Sequence, residues 1–91
     1  MKEKQAIISI SNGVLANLRL NRKREPVLTF TKDGKTLVSN MPWNFVVRGS
    51  NRLAVTTSID LNRDDLDKIE MEGWDFLVRH GVFPMELEIR L

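Results

Sequence analysis

Residues 62–81, NRDDLDKIEMEGWDFLVRHG, decide the architecture, because here the hydrophobic period changes. Leu66, Ile69, Gly73, Trp74, Phe76 and Leu77 recur at the three- and four-residue spacing of an apolar stripe along a helix. Asn62 suits an N-cap, since its short side chain can accept from backbone N–H groups of the first turn. Asp64 and Asp65 follow it, where the helix dipole favours negative charge. Arg79 and His80 fall in the last turn, and Gly81 is placed at the C′ position, where left-handed backbone ends a helix. The pattern predicts one long helix over about 62–80. A glycine inside a helix costs about 0.5–1 kcal/mol relative to alanine. Gly73 therefore marks a kink or a close approach to the sheet.

Period two holds on both sides of this segment. Downstream, Met85, Leu87, Ile89 and Leu91 alternate with Glu86, Glu88 and Arg90, the pattern of a half-buried strand. Upstream, Ala6–Ser11 is a strand rich in isoleucine, and Asn12-Gly13 suits a type I′ turn because both positions tolerate positive φ. Val14, Ala16, Leu18 and Leu20 then alternate with Leu15, Asn17, Arg19 and Asn21. This run is also rich in helix formers, but the alternation favours a strand. Val27–Lys32, Asp33-Gly34 and Lys35–Ser39 form the clearest hairpin. A two-residue turn there sets Phe30 opposite Leu37 and Thr29 opposite Val38, and a bulged turn would shift that register by one. Trp43–Arg48 and Arg52–Ile59 read as two more strands around Gly49-Ser50-Asn51. The expected fold is a single α+β domain over residues 1–91. It has an antiparallel or mixed sheet of five to six strands, the long helix packed on one face, and a C-terminal strand.

Composition bounds the function. The chain has 91 residues, 42% hydrophobic and 29% charged, which is too apolar for disorder and enough for one modest core. No apolar run approaches the ~18–20 residues that cross a bilayer, so no membrane partner is expected. Zero cysteines remove disulfides, thiol catalysis and thiolate metal sites. With no secretory signal visible, the expected location is cytoplasmic. His80 is the single histidine, and at a helix end its ordinary role is a cation facing the C-terminal dipole. No serine sits in a G-x-S-x-G elbow, and the five glycines are too dispersed to cradle phosphate. Asp60, Asp64, Asp65 and Asp67 lack the spacing and the glycine of a calcium loop. Neither catalysis, metal nor cofactor is expected.

Charge is the informative feature. Residues 1–59 carry ten lysines and arginines against three acids, and residues 60–91 carry four against nine. Two binding classes follow. In the first, the acidic face of the helix (Asp64, Asp67, Glu72 and Asp75) meets a protein target, opposite fields steering the encounter. The edge Met85, Leu87, Ile89 and Leu91 pairs with its symmetry mate in a homodimer. In the second, Arg19, Arg22, Lys23, Arg24, Lys32, Lys35, Arg48 and Arg52 track the phosphates of a nucleic acid. The acidic helix argues against the second, since it cannot enter a groove lined by phosphates. The first is preferred: a small non-catalytic binding protein of regulatory, accessory or inhibitor type, the kind that phages and mobile elements often carry.

Overall fold

The computed structural model describes residues 5–48 and 51–83, without the side chains of residues 48 and 51–54. Four strands, β1 (Gln5–Ser9), β2 (Val14–Leu20), β3 (Pro26–Lys32) and β4 (Lys35–Pro42), pair antiparallel in the order β1-β2-β3-β4. Three helices follow: α1 (Trp43–Arg48), α2 (Asn51–Ser58) and α3 (Arg63–Arg79). The fold is thus α+β with an antiparallel sheet and one long helix. The sheet has four strands among the described residues, fewer than the five to six expected. The predicted C-terminal strand, residues 85–91, lies outside the described residues.

Both glycine turns form as their dipeptides dictate. Asn12 and Gly13 take φ of 63° and 75°, inside a short 3₁₀ turn over Ser11–Gly13. Asp33 and Gly34 take 53° and 78°. These are the positive φ values that a type I′ turn needs, and asparagine, aspartate and glycine accept them most readily. The second turn sets Lys32 directly opposite Lys35 and Thr31 opposite Thr36. Beyond it the register slips by one, so that Phe30 faces Val38 and not Leu37. A second slip places Leu28 opposite Met41, with Asn40 at a φ of 57° in between. The slips are extra residues within β4, with the turn itself remaining two residues long. They leave Leu37 44% exposed.

Lys32 and Lys35 are exposed like charges across a strand pair. Such neighbours destabilise by a few tenths of a kcal/mol up to about 1 kcal/mol. Lys35→Glu is expected to raise stability by that amount, read as a higher urea midpoint at unchanged slope.

The two segments expected as strands, Trp43–Arg48 and Arg52–Ile59, are helical. Their Val and Thr content favours a pleated surface, but packing overrides a propensity scale that spans only ~1 kcal/mol. Trp43, Val46 and Val47 are buried at i, i+3 and i+4. Val55 and Ile59 are buried four apart, while Thr57, which would share their face in a strand, is exposed.

One face of the sheet carries the core. Ile8, Ala16, Leu18, Leu28 and Phe30 meet Trp43, Val46, Val55, Ile69, Phe76 and Leu77 from the helices. The alternate residues Ile7 and Leu15 stay exposed on the open face. The predicted long helix is present with both caps. Asn62 Oδ1 accepts from the Asp65 N–H at 2.8 Å, and Asp65 Oδ2 accepts from the Asn62 N–H at 3.2 Å, a reciprocal capping box. At the other end Gly81, at a φ of 77°, donates to Val78 O, and Val82 donates to Leu77 O. This is the Schellman arrangement. Gly73 marks a close approach, not to the sheet but to α1. The Trp43 indole lies over it and donates from Nε1 to Ile69 O at 3.3 Å.

Candidate interaction surface

α3 runs opposite to β1 along the edge of the sheet. Two long-range contacts fix this direction. Asp65 Oδ1, at the start of α3, accepts from the Ser11 N–H at 3.1 Å and the Ser11 hydroxyl at 2.8 Å. One turn later Lys68 Nζ donates to Ser9 O at 2.5 Å. Further along, Met71, Glu72, Asp75 and Arg79 line an open groove with Gln5, Ala6 and Ile7, with a volume of about 370 Å³.

The sheet edge beside this groove is unpaired among the described residues. Ile10 donates to Val14 O, so the even-numbered residues of this strand turn their backbone groups toward β2. Gln5, Ile7 and Ser9 therefore turn theirs outward. The Lys68 ammonium on Ser9 O is the kind of charge that blunts such an edge. Ile7 is 54% exposed and Met71 73%, one on each side of the edge.

The four predicted acids of the helix, Asp64, Asp67, Glu72 and Asp75, are all exposed on α3. The surface is nevertheless not uniformly acidic. Arg63 lies 4.0 Å from Asp67, Lys68 3.9 Å from Glu72 and Arg79 3.2 Å from Asp75, each pair one helical turn apart. Exposed pairs of this type contribute about 0.3–0.5 kcal/mol, so they set a charge pattern more than they hold the helix.

Among the described residues, the predicted basic ones fall at two ends of the sheet. Arg22, Lys23 and Arg24 sit in the β2–β3 connection, whereas Lys32 and Lys35 flank the β3–β4 turn at the opposite end of the sheet. Seven residues of β3 separate these ends, roughly 20 Å at strand rise. Arg24 is engaged, its Nη2 donating to His80 O at the C-terminal end of α3. Arg19 projects from the open sheet face and donates to Asn40 Oδ1 at 2.9 Å, while its Nη1 is buried with no hydrogen-bond partner among the described residues. The side chains of Arg48 and Arg52 lie outside the described ones, as do Met85, Leu87, Ile89 and Leu91.

Sequence reasoning missed Met71, Ile7 and Lys68. The spacing signal was present: Asp64, Lys68, Met71, Asp75 and Arg79 follow one another at four, three, four and four residues, a single line along a helix. Among the described residues no group of three or more histidines or carboxylates is placed to hold a metal ion. No described helix is long and apolar enough to cross a membrane. No protein-family model, curated protein or solved structure matches the chain.

Proposed function

We propose that the chain is a small non-catalytic binding protein that acts through protein–protein contacts, in a regulatory, accessory or inhibitory role. The observation that supports this reading is the exposed side of α3. It presents an exposed thioether, Met71, among charged residues, next to a groove and a sheet edge that is unpaired among the described residues. Methionine is enriched at protein interfaces, because its flexible and polarisable side chain adapts to a partner.

The test is affinity capture by the immobilised full chain, run with and without nuclease. The expected result is nuclease-resistant retention of a protein, weakened at least tenfold by Asp67→Lys with Glu72→Lys and unaffected by Arg22→Glu with Lys23→Glu. Arg24 is left in place because it bonds the end of α3. The reverse pattern, with retention lost to nuclease and to the Arg22/Lys23 reversal, would replace this reading with nucleic-acid binding.

A further inference from the structure

We propose that the β1 edge and the exposed line of α3 together form a self-complementary surface for a second copy of this chain, related by a two-fold axis through Ile7 and Met71. The proposal builds on the protein-contact reading and places the seam at β1, not at residues 85–91.

The argument begins with the edge. Gln5, Ile7 and Ser9 turn their backbone donors and acceptors outward. An antiparallel copy centred on Ile7 meets them in register, Ile7 on Ile7 and Gln5 on Ser9. Antiparallel pairing satisfies groups that otherwise invite aggregation. Because α3 runs opposite to β1, the same axis brings the two α3 helices together antiparallel on one side of the joined sheet. Ile7 and Met71 line one groove, and the proposed axis is placed through it. The two exposed apolar side chains are then covered, Ile7 on the open face and Met71 on the helical face.

Charge selects this partner over another. Along α3 the line reads Asp64, Lys68, Met71, Asp75 and Arg79. Turned end for end about Met71–Glu72, it reads back with inverted sign. Asp64 meets Arg79 of the second copy, and Lys68 meets its Asp75. Two-fold interfaces require this self-complementarity, in which each residue and its mate exchange roles. Lys68 then leaves Ser9 O and Glu72 for the second copy's Asp75, and Ser9 O accepts instead from the second copy's Gln5 N–H. The edge is guarded in the single copy and opened by the contact that uses it.

Light scattering on the full chain at high micromolar concentration is expected to give a dimer. Ile7→Lys and Met71→Glu both change exposed residues and leave the core intact, which the thermal melt confirms. Each is expected to weaken the dimer at least tenfold. Lys68→Glu and Asp75→Lys each weaken it alone, and together they restore it. The cysteine-free chain allows a direct readout. Met71→Cys is expected to form a disulfide-linked dimer on oxidation. Val78→Cys is not, because its symmetry mate lies roughly 20 Å away at helix rise. A monomer overturns the proposal and leaves the capture experiment to judge target binding independently. A dimer indifferent to Ile7→Lys and Met71→Glu but lost in Leu87→Lys also overturns it, in favour of the C-terminal edge.

Discussion

Gly73→Ala is expected to lower the melting temperature by ~10–30 °C. A β-carbon built at Gly73 falls 2.1 Å from Trp43 Nε1 and 2.8 Å from Cε2. No rotation of a flexible tip relieves this, because Trp43 is fully buried and its ring is planar. The indole must withdraw, which breaks its bond to Ile69 O and strains the α1–α3 contact. Overpacking costs about 1–3 kcal/mol and orphaning a buried donor about 1–3 kcal/mol, together about 2–5 kcal/mol. A change of 1 kcal/mol moves the midpoint of a domain this size by about 4–8 °C. Intrinsic propensity acts the other way, since alanine is the better helix former by about 0.5–1 kcal/mol. The sign of the measured change therefore decides between the two. A Gly73→Ala variant melting at or above the parent would show that Trp43 does not pack on the helix backbone. Combining Gly73→Ala with Trp43→Leu is expected to cost less than the sum of the separate changes, as residues in contact couple.

Asp65→Ala is expected to cost about 2–3 kcal/mol, in a urea titration followed by tryptophan fluorescence. Asp65 is 6% exposed, and its carboxylate accepts from the Ser11 backbone, the Ser11 hydroxyl and the Asn62 backbone. Removing it leaves those donors unpaired and detaches the β1–β2 turn from the start of α3. Hydrogen bonds to a charged group contribute about 1.5–3 kcal/mol, and losing one member of a helix cap costs about 1 kcal/mol. These overlap, so the total stays near the upper part of either range. Ser11→Ala removes only the hydroxyl bond and is expected to cost about 1 kcal/mol. Asp64→Ala, one residue away but exposed, is expected to change stability by less than about 0.5 kcal/mol. Equal effects at Asp64 and Asp65 would mean that the carboxylate acts only through the helix dipole.

The elements that were legible in the sequence are those whose signals are local. Asn62 and Gly81 bracket α3 because capping depends on neighbours within a turn. Asn12-Gly13 and Asp33-Gly34 are turns because positive φ belongs to the dipeptide itself. Trp43–Arg48 and Arg52–Ile59 were misread because their strand preference is intrinsic, whereas their helical state is set by partners on the sheet and α3. The two slips in β4 carry no pattern of their own, and they changed the partner of Phe30 after the turn had been read correctly. Gly73 announced a close approach, but its partner lies 30 residues earlier. Asp65 showed only its place in the first helical turn, since Ser11 is 54 positions away. The acidic residues of α3 were read as one pole, yet their four-residue offsets from Arg63, Lys68 and Arg79 already implied alternation.

Among the described residues, every strand of the sheet hydrogen-bonds only to its neighbours in sequence. Assembly can therefore proceed by zippering successive hairpins, without first closing a long loop, and chains with such local contacts fold quickly. The slow, entropically demanding event is left to the last long helix, whose arrival joins Ser11 to Asp65. Until then the part of the apolar face that α3 covers, along β1, stands open to water, so the interval before the helix lands is when the molecule is most vulnerable to its own kind.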